Sequence, residues 1–459
     1  MISPRSMAMF MALPLIALVC VSLMWWNERT RSLQGTRERE RALFSEVMAL
    51  LEAHYDGPVD REQLLAGGLS GIAEAAKDRY TIVWTPEEAK QETERSEGKI
   101  VGIGVVIEWR EGAYPFVRFV EPGGPAHKAG IRSGDQIAAV DGTSTKELEN
   151  KTLVALVRGK LGTVVKLTID RAGQSLEFPV TRAEVELRSV QGTRMLDGTT
   201  VGYMRIENFS LATHDQFERA FAELRQTGMT ALILDLRDNR GGVLDDAVKI
   251  ADGFIEKDGL PIVSTRSTDE KLERCKELGI AIDKSSAGEV YHSKDGGSVG
   301  DIPLVLLVNE ASASASEVLA GALQDYGRAF LIGTKTYGKG RVQKVFPLPS
   351  SKDDQPYHLK ITVARYYTPL GRGLNRSSPR DEPSGIEPDI DYPVSAAQKL
   401  AILRRFEIEK YETPANADAL SLEEDRKAWA TPDPHIEAAL RYLRGEKIFV
   451  PALPATSGD

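Results

Sequence analysis

Cysteine is almost absent from this chain, which contains two such residues among 459. Cys20 lies in an apolar run near the N-terminus and Cys275 is the other, so no intrachain disulfide can form in the rest of the chain. The histidines lack the spacing of metal ligands, so the sequence implies no metal site. They are His54, His127, His214, His292, His358 and His435. No organic cofactor is implied either.

Basic charge is also scarce. The formal net charge is −9, and no cluster of Lys and Arg is concentrated enough to form a basic face. Because phosphate binding needs such a face, nucleic acid is excluded as the main partner. The composition is that of a globular protein, and the length predicts two to four domains at one per ~100–200 residues.

One uncharged segment, Met7 to Trp26, differs from the rest. About twenty apolar residues suffice for one helical crossing of a membrane, and the terminal tryptophan pair suits the headgroup region. We predict an uncleaved signal anchor over residues 1–27. A cleaved signal peptide is the alternative, but no A-x-A-like site follows the run, and Val19 before Cys20 disfavours lipoprotein cleavage. Basic residues on both sides leave the orientation open.

Helical spacing of apolar residues follows between Arg41 and His54 and again over Arg61–Lys77, with Asp56-Gly57-Pro58 as the break. We therefore assign residues 28–96 to an N-terminal helical region. A charged stretch, Thr268 to Gly288, is predicted to be a surface insertion. Ser395 to Arg444 is predicted to be mostly helical and polar, so that residues 395–459 form a C-terminal helical region with a disordered tail.

From about Gly98 the pattern becomes strand-like, with one helical segment, over less than a hundred residues. The stretch GPAHKAGIRSGDQIAAVDG (124–142) resembles a PDZ domain, which we place at residues 97–184. The resemblance implies a loop whose backbone N–H groups bind a peptide's C-terminal carboxylate while the peptide adds to the sheet edge. That loop is Gly102, Ile103, Gly104 and Val105. On its own, a G-x-G before a strand is a common turn.

Between about Thr199 and Val394, apolar strands such as ALILD and IPLVLLVN alternate with helical segments. This order predicts βαβ units in a largely parallel sheet with right-handed crossovers. Sites in such sheets gather at the carboxyl ends of the strands. The loops Asp238–Gly242 and Glu310–Ser316 are therefore the predicted site.

The second loop contains SASASE, residues 312–317. Ser314 and Glu317 form an S-x-x-E capping box, and read alone the stretch is a helix cap. The same position, however, places a hydroxyl at the positive end of a helix. A serine nucleophile needs a base, and no histidine stands in a G-x-S-x-G context. A lysine kept neutral by burial is another route, and Lys339 in TYGKG offers one, although a G-K-G loop is usually a solvated turn.

The segment NEASASASEVLAGALQDYGRAFLIGTKTYGKGRVQ (309–343) resembles the catalytic segment of the C-terminal processing peptidases, or tail-specific proteases. These are Ser-Lys enzymes that carry a PDZ domain. The resemblance extends from about Arg61 to Val394. It implies an α/β fold with a crotonase/Clp-protease-like βαβ core at residues 185–394, an inserted PDZ domain, and helical N- and C-terminal segments.

The resemblance also implies roles for individual residues. Ser314 matches the nucleophile and Lys339 the base, 339 − 314 = 25 residues later, and Gln343 matches the glutamine that orients the lysine. The oxyanion hole is assigned to the backbone N–H groups of Ala315 and of either Gly241 or Gly242. Arg158, after the PDZ helix, is a candidate for coupling peptide binding to the catalytic lysine, and a solvated helix end is the equal alternative.

Three features depart from the family pattern. Arg240 stands where proline or a small residue is usual, Thr268–Gly288 is long, and Tyr80-Thr81 replaces Tyr-Ser. They bear on substrate fit more than on chemistry.

We therefore predict a serine endopeptidase of the bacterial cell envelope. It would be a single-pass protein of the inner membrane with its catalytic part on the periplasmic side, and its partners would be proteins or peptides with free C-termini. A homodimer through the helical ends and an adaptor protein are further candidate partners. The alternatives are a membrane-tethered PDZ scaffold with an inactive protease-like domain and a Ser-Lys hydrolase of non-peptide esters or amides.

Overall fold

The computed structural model describes residues 38–109, 114–277, 288–294, 296–349, 356–374, 385–410, 423–448 and 450. The chain divides into two compact units, Met1–Thr85 and Pro86–Asp459. Within the described ranges, no helix has the length and apolar character needed to cross a membrane. The predicted anchor, residues 1–27, lies outside them.

The first unit contains two helices and a short strand. Helix α1 covers residues 38–54, α2 covers Arg61–Glu74 and β1 covers Ile82–Trp84. Asp60 caps α2, because its carboxylate accepts hydrogen bonds from the N–H groups of Glu62 and Gln63. Helices α1 and α2 lie where the sequence predicts a helical pair, and α2 ends at Glu74 rather than at Lys77.

The first half of the second unit is built around an antiparallel sheet. Its elements are α3 Pro86–Glu97, β2 Lys99–Gly102, β3 Val105–Glu108, β4 Phe116–Val120, α4 Pro125–Ala129, β5 Gln136–Val140, β6 Thr143–Ser144, α5 Asn150–Val157, β7 Val164–Arg171, β8 Gln174–Thr181 and β9 Ala183–Glu186. The sheet runs in the order β3-β4-β5-β7-β8, with β6 on β5, while β2 pairs with β9. Strand β3 is therefore an edge of the sheet. Leu153 and Val157 of α5 are buried in its core, as the sequence predicts for its helical segment, and Ala126 of the short helix α4 is buried there too.

The second half of the unit alternates strands and helices. Its elements are β10 Val190–Met195, β11 Val201–Ile206, α6 Thr213–Gln226, β12 Ala231–Asp235, α7 Leu244–Phe254, β13 Pro261–Arg266, α8 Asp269–Glu277, β14 Val290–His292, β15 Leu304–Val308, α9 Ala315–Asp325, β16 Phe330–Gly333, β17 Arg341–Pro347, β18 His358–Tyr367, β19 Ile390–Asp391, α10 Ala396–Glu409, α11 Glu423–Ala430 and α12 Pro434–Leu443.

The central sheet runs in the order β10-β11-β12-β15-β16-β19. Strands β11, β12, β15, β16 and β19 are parallel to one another, and β10 is antiparallel at the edge. The predicted largely parallel sheet is confirmed. Strands β12 and β15 are buried at every position, as expected for a sheet covered on both faces.

Helix α12 covers one face of this sheet. Its residues Ile436, Ala438 and Ala439 share a buried cluster with β11, β12 and β15. The sequence predicts a mostly helical and polar C-terminal segment, and the structure adds that α12 contributes residues to the core. By contrast, α8, the described part of the predicted insertion, buries none of its residues.

A buried ionic cluster joins α12 to the central sheet. The side chain of Arg237, 1% exposed, lies 2.6 Å from Asp235 and 2.9 Å from Asp433, both of which are buried. Its Nη1 also lies 3.0 Å from Nδ1 of His435. Because a guanidinium only donates, that nitrogen accepts, and the imidazole proton sits on Nε2, which donates to the Tyr392 carbonyl at 2.7 Å. Burial and the guanidinium lower the pKa of His435, which keeps the ring neutral.

Asp433 gives this cluster a measurable pH dependence. Burial alone would raise its pKa, but Arg237 outweighs burial and lowers the pKa of Asp433 to about 2. A depressed carboxyl pKa stabilises the fold fully above the ordinary value of 3.8, and the effect is lost as pH falls toward 2.

Over that window we expect the free energy of unfolding to fall by about 2 kcal/mol more in wild type than in Asp433→Asn. Urea unfolding at a series of pH values measures this. Asp215→Asn, at an exposed position, should keep the wild-type slope, and equal slopes for all three proteins would contradict the assignment.

Candidate active site

Two loops meet at the carboxyl ends of β12 and β15. These strands are adjacent and parallel, so the chain leaves both at the same edge of the sheet. The Asp238 N–H donates to Oδ1 of Asn309 at 2.9 Å, and Nδ2 of Asn309 donates to the Asp238 carboxylate at 3.0 Å. The two loops predicted to form the site are therefore fixed to each other.

Ser314 has a strained backbone at the start of α9. Its φ of 58° and ψ of −116° are rarely adopted by a residue with a β-carbon. Such strain persists only where the surroundings enforce it, and it is concentrated at functional sites. The neighbouring serines supply part of that enforcement. Ser312 donates to the Leu236 carbonyl at 2.7 Å and Ser316 to the Asn239 carbonyl at 2.9 Å, so both hydroxyls are committed to the other loop.

Glu317 connects the serine loop to the lysine loop. One carboxylate oxygen, Oε2, accepts the N–H of Ser314 at 2.8 Å and the N–H of Lys339 at 2.8 Å. The other, Oε1, accepts the hydroxyl of Thr336 at 2.6 Å and the N–H of Gly338 at 2.7 Å. Burial raises the pKa of Glu317, while these four donors favour the ionised carboxylate.

The bond from Ser314 to Glu317 is the one that the capping box predicts. Its extension to Gly338 and Lys339 was missed. The sequence offered no local signal for it, because the burial that requires further partners for this carboxylate is visible only in the structure.

Lys339 is half-buried in the connection from β16 to β17. Gln343 lies on β17 at an irregularity in the pairing with β18, and its amide nitrogen donates to the Arg341 carbonyl at 2.9 Å. Such an irregularity turns a side chain away from the regular alternation of a strand. Glu317 therefore holds the backbones of Lys339 and Ser314 together. The side chain of Gln343 is instead held by the Arg341 carbonyl, on the same strand as Gln343.

Two glycines lie against the serine. A β-carbon on Gly241 would come within 2.8 Å of the Ser314 Cβ and 3.0 Å of the Ala315 nitrogen. One on Gly242, whose φ is 144°, would come within 2.0 Å of the Phe209 carbonyl oxygen. Only glycine therefore fits at these positions.

The backbone donors here are not equivalent. The Gly241 N–H donates to Oδ1 of Asn239 at 2.8 Å. Within the described part of the chain, the N–H groups of Gly242 and Ala315 make no hydrogen bond. Of the two predicted alternatives, the geometry favours Gly242, with Ala315, as the pair that can bind a developing oxyanion.

The PDZ-like loop lies at the sheet edge. Ile103 and Gly104 join β2 to the edge strand β3, and their carbonyls accept the N–H groups of Ala126 and Glu121, each at 2.8 Å. Gly104 has a φ of 74°. The N–H groups of Ile103 and Gly104 make no hydrogen bond with any residue that the structure describes. This arrangement suits a peptide that adds to β3 and ends at the loop.

Comparison with known proteins agrees with these features. The sequence models of Peptidase family S41 and of the PDZ domain match residues 200–392 and 90–170. A carboxyl-terminal-processing protease of Picosynechococcus sp. is 32% identical over 382 residues, which cover 80% of this chain and 77% of that protein. The chain belongs to peptidase family S41. It is accordingly a serine-type endopeptidase.

Other relatives of this S41 peptidase are similarly distant. The carboxy-terminal processing protease CtpB of Bacillus subtilis is 30% identical over 363 residues, covering 78% of this chain and 69% of that protein. The solved structure of the photosystem II D1 C-terminal processing protease is 28% identical, with a TM-score of 0.39, and covers 78% of this chain and 95% of that one.

Arg158 of the S41 peptidase lies at the C-terminal end of α5. Its guanidinium is 3.3 Å from the carboxylate of Glu94 in α3. In the described residues this is its one ion pair, so it links the PDZ helix to α3 and not to the catalytic loops. Among those same residues, no group of three or more His, Cys, Asp or Glu is placed to hold a metal ion.

Proposed function

We propose that Ser314 is the nucleophile and Lys339 the general base of a Ser-Lys endopeptidase that selects substrates by their C-termini. The observation that carries this proposal is the shared carboxylate of Glu317, which holds the backbones of both residues. Because positions fixed in this way reduce the entropy lost on reaching the transition state, the arrangement favours a reaction between the two side chains.

In the acylation step, neutral Lys339 accepts the proton of the Ser314 hydroxyl as its oxygen bonds to the scissile carbonyl carbon. The N–H groups of Ala315 and Gly242 bind the oxyanion, and each such donor contributes about 2.7–4 kcal/mol. The C–N bond then breaks, and the leaving amine takes the proton from Lys339. In deacylation, Lys339 accepts a proton from water as the water oxygen attacks the ester, and returns it to Ser314. Gln343 orients the lysine amine.

Residues 97–184 act as a PDZ domain that captures the free C-terminus of a substrate. The open edge of β3 and the two unpaired N–H groups of the 103–104 loop support this role. Arg158 couples peptide capture to the catalytic lysine by exchanging its partner Glu94. The peptidase core, residues 185–394, is of the crotonase/Clp-protease type.

The protein is anchored by residues 1–27 in the inner membrane, with its catalytic part on the periplasmic side. The uncharged run Met7–Trp26 supports this location. The helical ends serve self-association into a homodimer, and an adaptor protein delivers substrates.

One experiment tests the chemistry and the selection together. The full chain is incubated with an internally quenched peptide that has a long apolar tail, in forms ending in a free carboxylate or an amide. We expect cleavage by wild type and faster cleavage of the acid. Ser314→Ala and Lys339→Ala should give no product, whereas Lys335→Ala, in the same loop but paired with Glu387 at the surface, should cleave as wild type does. Cleavage by Ser314→Ala would refute the nucleophile. No cleavage by wild type would favour the inactive PDZ scaffold.

A further inference from the structure

Arg240 stands in the backbone segment that lies against the nucleophile. On one side of it, the Asn239 carbonyl accepts the N–H of Ala313 at 2.9 Å and the hydroxyl of Ser316 at 2.9 Å. On the other side, Gly241 is packed so closely that an added β-carbon would lie 2.8 Å from the Ser314 Cβ. The position of Arg240 relative to Ser314 is thus fixed from both sides.

The side chain of Arg240 is exposed and carries an uncompensated charge. It makes no ion pair or hydrogen bond with the residues that the structure describes. The two acidic residues of the adjoining loops have other partners, since Asp238 is bonded to Asn309 and Glu310 to Lys399. Arg237, in the same loop, is buried between two carboxylates. Arg240 is therefore the cation of this loop that remains available to a substrate.

The charge at this position comes from the side chain alone. A proline or a small residue would place no charge beside the oxyanion glycines. An arginine at this position carries no desolvation penalty, because its guanidinium remains in solvent. A planar guanidinium binds a carboxylate through two parallel hydrogen bonds, which gives geometric selectivity as well as affinity.

We infer that Arg240 is a specificity residue that binds a carboxylate of the substrate close to the scissile bond. The inference rests on the proposed Ser314 chemistry and names a substrate class for it. The carboxylate has two possible sources: an acidic side chain within a few residues of the cut, or the α-carboxylate of a short C-terminal tail. Both place the same group beside the same guanidinium.

The test begins by mapping cleavage sites in a peptide library by mass spectrometry. For wild type we expect one position near the cut to be enriched in Asp and Glu, or cuts to cluster close to free C-termini. Arg240→Gln should lose the enrichment, and Arg240→Glu should replace acidic by basic residues at the same position. Arg225→Gln is the matched control, because Arg225 is exposed in the last turn of α6. That turn precedes β12 and so lies at the amino ends of the parallel strands, away from the site.

Two pairs of synthetic peptides then separate the sources. In the first pair, an amidated peptide carries Asp or Asn at the mapped position. In the second, a peptide without acidic residues has a short tail that ends in an acid or an amide. We expect one pair to differ by about fivefold to tenfold in kcat/KM with wild type, and Arg240→Gln to reduce that ratio to about one. Using the ratio removes any loss of general activity from the comparison.

The outcomes distinguish the inference from the chemistry on which it rests. If wild type and Arg240→Gln show the same ratio for both pairs, the inference is overturned although the peptidase assignment stands. If Ser314→Ala cleaves the peptides, the proposed chemistry is wrong whatever Arg240 does. A wild-type ratio that falls with rising salt, together with an Arg240→Gln ratio that stays near one at every salt concentration, would support direct charge pairing.

Discussion

Replacing Glu317 with glutamine is expected to lower kcat/KM by about 100-fold or more. Every group facing the Glu317 carboxylate is a donor: the N–H groups of Ser314, Gly338 and Lys339 and the hydroxyl of Thr336. A glutamine amide presents its own NH₂ to one of these pairs. In either orientation at least one backbone N–H loses its acceptor, so the serine and lysine loops separate from their working positions.

The expected loss is mainly in kcat, because Glu317 is a positioning residue and the PDZ loop lies on other elements. Peptide cleavage under saturating conditions measures it, together with the melting temperature of the variant. A buried N–H without an acceptor costs about 1–3 kcal/mol, so some loss of stability should accompany the loss of activity.

Glu310→Gln is the matched control for this prediction. Glu310 lies in the same loop, but it is exposed and pairs with Lys399 at the surface. Exposed ion pairs contribute about 0–1 kcal/mol, so this variant should keep nearly full activity and stability. If Glu317→Gln kept kcat within a few-fold of wild type, Glu317 would be a helix cap and nothing more.

Of the hydrogen bonds of Glu317, the sequence predicts the local one and not the long-range ones. The capping box predicts the bond between Glu317 and Ser314, since these residues are three apart. The bonds to Gly338 and Lys339 join residues more than twenty positions apart. They exist because β16 returns beside β15 in the parallel sheet, so that the chain leaves both strands at one edge. Local pattern contains no information about that contact, although the alternation of strands and helices does predict the edge at which it forms.

The sequence analysis left the choice between Gly241 and Gly242 open, although the sequence contains a signal that bears on it. Both glycines are required by contact with neighbouring backbone. What separates them is the side chain of Asn239, whose carboxamide occupies the Gly241 N–H. An asparagine two residues earlier in a turn is a common partner for such an N–H, and this was the signal available.

The buried contacts of the C-terminal segment were not predicted. The sequence predicts a mostly helical and polar segment, whereas in the structure Asp433 and His435 face the buried Arg237 and the next residues face the sheet. Arg237 and Asp433 are 196 positions apart, so the sequence does not reveal that they form a pair. Hydrophobic periodicity cannot show which charged residues have buried partners.

Arg237→Met should therefore be the most destabilising of these changes, lowering the free energy of unfolding by about 3–5 kcal/mol at neutral pH. The methionine occupies a similar volume but removes the guanidinium that pairs with both Asp235 and Asp433, and leaves Asp433 only the more distant Arg405, 4.0 Å away. Urea unfolding of the full chain measures the effect. Arg225→Met, at an exposed position on α6, should stay within about 0.5 kcal/mol of wild type.

The pH dependence of the variant separates lost charge pairing from simple repacking. Without the guanidinium, burial still raises the pKa of Asp433, and the groups that oppose burial are reduced mainly to Arg405, 4.0 Å away, and the N–H groups of His435 and Ile436. The pKa of Asp433 should therefore be higher in the variant than in wild type, where it is lowered to about 2. A higher folded-state pKa means that the folded variant binds this proton more tightly, so its stability deficit relative to wild type should shrink as the pH falls. Arg237→Met with Asp433→Asn should remove that pH dependence, because the side chain at position 433 is then neutral at every pH. A variant whose deficit stays constant from neutral to mildly acidic pH would mean that the arginine acts through its packing rather than its charge.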